Sequence, residues 1–402
     1  MAGHHETPSD PESSLYFDSN VPYHVHQTQR PLIDLIPTDS KNLGDHQYTD
    51  DSDDDQFFYA EKASPWKDWQ SPRMARWPQR LVVPRRVQRH LIIYLIILVT
   101  VWATWKWYLR PAWQERQAME KALRPKAVNK GMFGSNLRPG FTDMIMVKKM
   151  DSDLLPGAGE RRRLVFVGDV HGCKDELVAL LAKVGFQQSR DHLILTGDIV
   201  AKGPDSAGVV SLARDLGASC VRGNHDDRVL LSAAQAASHS QPSIEQEKSA
   251  VAAALGKHNL RWLRECPVIL NVGHVPGMGE ILVAHAGLVP GVPLERQDPF
   301  ETMNMRSIDL ETRVPSEEHP VKEKGTIGWE MLWNYCQKSQ PSKKRQTVVY
   351  GHNSKRGLNI QKYSKGLDTG CVKGGKLTAL VVDSGGSQSY VSVACEKREG
   401  YK

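Results

Sequence analysis

Cysteine is scarce and dispersed: Cys173, Cys220, Cys266, Cys336, Cys371 and Cys395 include no Cys-x-x-Cys pair. That spacing argues against a zinc ribbon and against a dense disulfide scaffold, and leaves the compartment open. Cys173 and Cys371 read as small apolar fillers. Basic residues are few in the first 72 positions, where 4 Lys/Arg stand against 14 Asp/Glu, a balance of −10. Since the whole chain of 402 residues carries +6, everything after position 72 carries +16. A basic folded region suits an anionic partner such as phosphates, nucleic acid or a lipid surface. No Asn-x-Ser/Thr sequon follows residue 109, so glycosylation gives no guide to membrane sidedness.

Apolar residues are also sparse near the start. Residues 1–72, with the acidic run "DDSDDD" from Asp50 to Asp55, read as a disordered acidic tail that cannot bury enough surface to offset chain entropy. A basic juxtamembrane segment, 73–90, leads into "LIIYLIILVTVWATW", Leu91 to Trp105, which holds no charge. Lys106 can snorkel, so a span of 91–109 approaches the ~20 residues needed to cross a bilayer. Trp102, Trp105, Trp107, Tyr108 and Trp113 crowd one end like an interfacial aromatic belt. Arginines before the span (Arg73, Arg76, Arg80, Arg85, Arg86, Arg89) predict a type II orientation, with the folded domain on the far side. A cleaved signal peptide is excluded by the position of the run. Residues 110–159 read as a linker.

From 160 to 397 the texture is that of a folded α/β domain. "RLVFVGD" is a buried strand, and in "KDELVALLAKVGF" the residues Leu177, Leu180, Leu181 and Val184 recur at i, i+3, i+4, i+7, a helix. "HLILTGD" is a second strand; Val209, Leu212, Ala213 and Leu216 mark a second helix; "SCVRGNHDD" is a third strand running into a loop. This βαβαβ order predicts parallel strands. After a helical insert over 243–264, strands dominate: "PVILNVG", "EILVAHAG", "TVVYGHN", "LTALVVD" and "SYVSVAC". The fold class is α/β, an α+β sandwich of two mixed β-sheets flanked by helices.

Five loops leave those strands with ligand chemistry: "GDVHG" (Asp169, His171), "GDIVAKGP" (Asp198), "GNHD" (Asn224, His225), "HAG" (His285) and "GHN" (His352). One Asp-x-His pair is as readily a turn as a metal site. Five such loops at successive strand ends converge on one sheet edge, where α/β folds place their chemistry. Carboxylate oxygens with imidazoles suit two divalent cations, Zn, Mn, Fe or Co rather than Ca, and such a pair can share a carboxylate and activate water for attack on phosphorus.

This ordered set resembles the calcineurin-like metallophosphoesterases of the phosphoprotein-phosphatase superfamily, over residues 160–385. The resemblance implies that Asp169 and His171 hold the first metal, Asp198 bridges, and Asn224, His285 and His352 hold the second. It implies His225 as the acid that protonates the leaving oxygen. Protein Ser/Thr phosphatases of the superfamily carry GDxVDRG, whereas "GDIVAKG" places Ala201 at the Asp and Lys202 at the Arg. The partner of His225 is then open, with Asp226 the neighbour in sequence, and Lys202 lacks the bidentate fork of an arginine. "VAKGPDS" and "LDTGCVKGGKLTALVV" resemble instead the ApaH-like branch, which acts on phosphoanhydrides. Within it, the layout of acidic tail, single anchor and ApaH-like domain is similar to the fungal vacuolar zinc-dependent endopolyphosphatases.

The resemblance therefore implies an endopolyphosphatase at a vacuolar membrane, its domain lumenal, with inorganic polyphosphate as partner and two divalent cations, zinc favoured. A groove of Lys202, Arg222, Lys355, Arg356, Lys373 and Lys376 would hold the chain without reading bases, so no nucleic acid partner is expected. The alternatives are a diadenosine tetraphosphatase-like enzyme, which needs a base-stacking surface from Trp329, Trp333, Tyr350 or Tyr363, and a protein phosphatase, weakened by Ala201. A non-catalytic polyphosphate sensor would need neither two metals nor a poised acid.

Overall fold

The computed structural model describes residues 84–124, 144–157, 162–237 and 246–397. The acidic tail 1–72 and most of the basic segment 73–90 lie outside the described residues. Two compact units divide at Trp113/Gln114. That boundary falls within a helical stretch: α1 (Arg85–Thr104), a π-helical turn Trp105–Leu109, then α2 (Arg110–Leu123). The π-turn ends two residues before Pro111, whose ring cannot accommodate the carbonyl four residues back in a regular α-helix. The helix Arg85–Leu123 is long and apolar enough to cross a membrane, and the apolar window within it buries nothing. Residues 110–123, assigned to a linker by the sequence, are thus helical, and Met119 and Ala122 at the end of α2 are buried.

In the second unit the order is β1 (Val147–Lys149), β2 (Arg163–Val167), α3 (Lys174–Val184), β3 (Asp191–Leu195), α4 (Ser206–Asp215), β4 (Ser219–Cys220), α5 (Asn224–Ala237) and α6 (Gln246–Arg264). Then follow β5 (Ile269–Val275), β6 (Gly279–Ala284), α7 (Pro299–Asn304), β7 (Ser307–Asp309), β8 (Pro315–Ser316), β9 (Thr326–Gly328) and α8 (Trp329–Ser339). The chain closes with β10 (Gln346–Tyr350), β11 (Asn359–Ile360), β12 (Ser364–Gly366), β13 (Lys376–Asp383) and β14 (Gln388–Ala394).

One sheet runs β14-β13-β2-β3-β4 and another β1-β5-β6-β10-β12-β11. β2, β3 and β4 are parallel, with Leu164 opposite His192 and Leu195 opposite Cys220, as the βαβαβ order predicts. β13 joins β2 antiparallel, so the sheet is mixed. Along β2 the side chains alternate. Leu164 and Phe166 pack with Leu270, Ile281, Val283 and Val349 of the second sheet, and Val165 and Val167 pack with Leu177 and Leu180 of α3 and Val209 of α4. A strand buried on both faces reads as a continuous apolar run, and burying one such side chain contributes about 2 kcal/mol. The second sheet covers its far face with Trp329, Leu332 and Trp333 of α8.

A third sheet, β8-β7-β9, was not expected. Its strands are two or three residues long and show no alternation, so sequence patterning had nothing to register. A further correction concerns cysteine. Cys371 is no apolar filler but pairs with Cys395, and Cys220 pairs with Cys266. Pairing of β13 with β14 brings the first two together across 24 positions, a contact invisible to local reading.

His192 tests the packing of β3. It is buried with Nε2 2.8 Å from Ser219 Oγ, and burial, aided by the Arg162 charge, lowers it to about 4. The neutral form is favoured by folding, so its contribution is complete above the unfolded value of about 6.5 and is lost as pH falls toward about 4. His192→Gln is expected to recover about 2 kcal/mol of unfolding free energy at pH 4.5 relative to its own effect at pH 7.5. Urea melts followed by tryptophan fluorescence would read this; parallel pH curves for the two chains would refute it.

Candidate metal centre

The five loops meet. Asp198 Oδ2 lies 3.4 Å from both His171 Nε2 and His285 Nε2, and Asn224 Oδ1 lies 3.1 Å from His285 Nε2. The backbone N–H of His352 donates to Asp169 Oδ1 at 3.0 Å, and that of His225 donates to Asp198 Oδ1 at 2.9 Å. Asp169, Asp198 and His285 offer ligand atoms within 4.8 Å of one another, all buried.

Glycine permits this density. A Cβ on Gly223 would overlap Asp198 Oδ1, and one on Gly351 would overlap Asp169 Oδ1. Gly168, Gly197, Gly223 and Gly351, which precede Asp169, Asp198, Asn224 and His352, are therefore requirements of close approach. Among the described residues, six non-glycine residues have positive φ, and five of them are His171, Asp198, Ala201, Lys202 and His352. Such conformations cost energy and persist where surrounding contacts over-determine them.

The imidazoles are oriented from behind. His285 Nδ1 faces the Thr196 carbonyl at 2.9 Å and His171 Nδ1 faces the Val200 carbonyl at 3.3 Å. A carbonyl only accepts, so Nδ1 carries the proton in each and Nε2 is the ring atom turned toward the site. In His352 the roles reverse: Nε2 faces the Asn304 carbonyl at 2.9 Å, leaving Nδ1 as the ligand atom.

The electrostatics show an excess of buried negative charge. Burial and the neighbouring Asp368 hold Asp169 well above the usual carboxylate range. Burial would lower His285, but Asp198 and Asp169 outweigh it and raise it to about 10. Burial would likewise raise Asp198, yet His285 and His171 hold it well below the usual range. His171 and His352 are lowered, chiefly by burial, His171 to about 4. Three neighbouring carboxylates with imidazole and amide donors fit divalent cations, which would take over the compensation that protons on His285 and Asp169 otherwise provide.

Two contributors were missed by sequence reasoning. Asp368, from "LDTG", is buried, raised by burial, and hydrogen-bonds Asp169. Arg306 follows α7 at the start of β7 and is half-buried. It lies within electrostatic reach of Asp368, Asp198 and His352, and its Nη1 donates to the Glu317 carbonyl at 2.8 Å. Nothing in the periodicity around Arg306 set it apart from a surface cation.

Residues 162–380 match the family model of the calcineurin-like phosphoesterases. The chain belongs to that family. A symmetrical bis(5'-nucleosyl)-tetraphosphatase of Klebsiella pneumoniae (strain 342) is 39% identical over 156 residues, covering 38% of this chain and 51% of the relative. One from Yersinia pestis (strain Pestoides F) is 35% identical over 161 residues, covering 39% and 50%. The chain thus spans about half the length of the curated relatives it matches. A crystal structure assigned as a diadenosine tetraphosphatase aligns with a TM-score of 0.50 at 33% identity, over 63% of this chain and 99% of that one.

The family carries a dinuclear divalent metal centre, and the converging side chains of this phosphoesterase are its candidate ligands. The proposed substrate-binding residues divide. Lys202 enters the centre, its Nζ 3.2 Å from His171 Nε2. Arg222 does not: it is buried, donating to Asp227 at 3.3 Å and to the Arg264 carbonyl at 2.9 Å, and so braces the start of α5. Lys373 and Lys376 are exposed beside the Cys371–Cys395 pair. Arg356 is held by Glu330 at 2.7 Å. The Asp226 carboxylate accepts from the N–H groups of Ile199, Val200 and Gly223 and ties the Asp198 loop to the Asn224 loop. Burial and Asp198 raise it to about 7.

Two outcomes follow for this phosphoesterase. Arg222→Met leaves the Asp227 carboxylate without its arginine and is expected to cost about 2–3 kcal/mol in chemical denaturation, with metal affinity intact. Asp198→Ala is expected to lower zinc affinity in calorimetric titration by more than about 100-fold, beyond the effect of a merely orienting partner. Unchanged zinc binding in Asp198→Ala would dissolve the assignment.

Proposed function

We propose that the protein is a membrane-anchored hydrolase of phosphoanhydride bonds that cuts inorganic polyphosphate internally. The observation that carries the choice over a dinucleotide is the fate of the candidate stacking residues. Trp329, Trp333, Tyr350 and Tyr363 are all buried in the core against the second sheet. What surrounds the carboxylates instead is cationic: Lys202 at His171, and Arg306, with Lys355 in reach of His319 beyond it. Cations without a stacking surface suit a repeating anion. Ala201 in place of an acidic residue speaks against a phosphoprotein substrate.

Asp169, His171, Asp198, Asn224, His285 and His352 would hold two divalent cations, zinc favoured by the three imidazoles, and these would supply Lewis-acid stabilisation of charge on the phosphoryl group. Lys202 and Arg306 would bind the flanking phosphates and neutralise charge on them. His225, its ring 5.1 Å from that of His171, is positioned to give a proton to the departing phosphate oxygen.

The helix Arg85–Leu123 supports a single span, and Arg85, Arg86 and Arg89 on its N-terminal side support a type II orientation. Two disulfides suit a domain on the oxidising side, in keeping with a vacuolar lumen.

A second reading is favoured by one feature. Phe300 on α7 is 44% exposed and lies six residues before Arg306, and the relatives named above are dinucleoside tetraphosphatases. The full chain in detergent, supplied in turn with Zn, Mn, Co or Mg, separates the readings when given long-chain polyphosphate, diadenosine tetraphosphate and a phosphopeptide. Polyphosphate is expected to shorten without early release of free phosphate. His225→Asn is expected to reduce kcat by about 10²–10⁴, and Arg306→Gln to raise KM about tenfold. Activity confined to the dinucleotide, and lost in Phe300→Ala, would replace the first reading with the second.

A further inference from the structure

Cys173 follows directly on the Asp169–Gly172 loop, at the residue preceding α3, and is wholly buried. Its Sγ, the Sγ of Cys371 and a carboxylate oxygen of Glu176 lie within 4.8 Å of one another. Cys371 is bonded to Cys395, and all three cysteines share one apolar cluster with Leu177 and Leu377. A thiol, a disulfide sulfur and a carboxyl group are thus enclosed together, an arrangement that suits intramolecular thiol–disulfide exchange.

We propose that the Cys371–Cys395 disulfide exchanges with Cys173, giving the chain two alternative crosslinks beside its metal centre. Cys173 gives its proton to Glu176, and its sulfur attacks Cys371 Sγ. The Cys371–Cys395 bond breaks as the Cys173–Cys371 bond forms, and Cys395 departs as a thiolate that takes the proton from Glu176. One disulfide replaces another, so no outside oxidant or reductant is consumed.

The two forms hold different parts of the fold. In the first, the turn Cys371–Lys373 is fastened to the end of β14. In the second it is fastened to the loop of Asp169 and His171. Cys371 lies three residues after Asp368, which already hydrogen-bonds Asp169, so the second crosslink runs parallel to a contact inside the centre. It frees Cys395 at the outer end of the sheet as a thiol.

The test uses the full chain in detergent, equilibrated in glutathione buffers, acid-quenched, unfolded, treated with N-ethylmaleimide, digested and mapped by mass spectrometry. Wild type is expected to yield both Cys371–Cys395 and Cys173–Cys371 peptides. Cys173→Ser is expected to yield only the first, and Cys395→Ser, oxidised with glutathione disulfide, to enrich the second at least tenfold over wild type. Alkylation of Cys173 in every wild-type molecule, at every glutathione ratio, would overturn the proposal whether or not the Cys395→Ser chain folds. Because the readout is a linkage and not a turnover, it stands apart from the substrate assignment above.

Discussion

Repulsion among three buried carboxylates is the constraint around which this domain is organised. Asp169, Asp198 and Asp368 come from three separate loops, each is nearly inaccessible to water, and Asp169 touches Asp368. Like charges at such range in a dry interior are unstable unless protons, cations or N–H donors compensate. The surrounding features are those compensations. Backbone N–H groups of His225 and His352 point at the carboxylates, His285 turns Nε2 to Asp198 at 3.4 Å, and Lys202 places its ammonium beside His171. Asp226 performs a related task one layer out, gathering three N–H groups from two loops so that the ligands behind them cannot drift.

The same constraint explains which parts of the fold were legible in the sequence. Gly168, Gly197, Gly223 and Gly351 follow strands where a neighbouring backbone or site side chain leaves no room for a Cβ, and that local signature marks Asp169, Asp198, Asn224 and His352 without any knowledge of the pairing, while the Asp-x-His spacing marks His171. The strands β2 and β3 and the helices α3 and α4 were legible because each buries a face with its own period, as Leu177 and Leu180 do against Val165 and Val167. Arg306 and Asp368 were opaque for the opposite reason. Neither sits in a periodic context, and each matters only because a distant segment lies beside it. Arg222 misled in the same manner: its charge was visible, but its partners Asp227 and the Arg264 carbonyl, the latter 42 positions away, were not.

The loop after Asp198 marks where this phosphoesterase parts from protein phosphatases. Ala201 is fully buried and its N–H donates to Ser206 Oγ, so no charged side chain stands there to orient His225. With Ala201 and Lys202 in succession in the left-handed region, the backbone reverses sharply enough to turn the lysine back upon His171. A flexible stem ending in a point charge tolerates phosphates at several positions, where a guanidinium fork would select one. That tolerance accords with the polyphosphate substrate proposed above.

The Cys220–Cys266 bond spans α5, α6 and the connection between them, 46 positions in all. Proteolytic nicking between His225 and Cys266 would leave the two fragments covalently joined, with Asn224 and His225 still carried by the Cys220 side. The clipped molecule would keep its mass and its ligands, and only a reducing agent would reveal the scission.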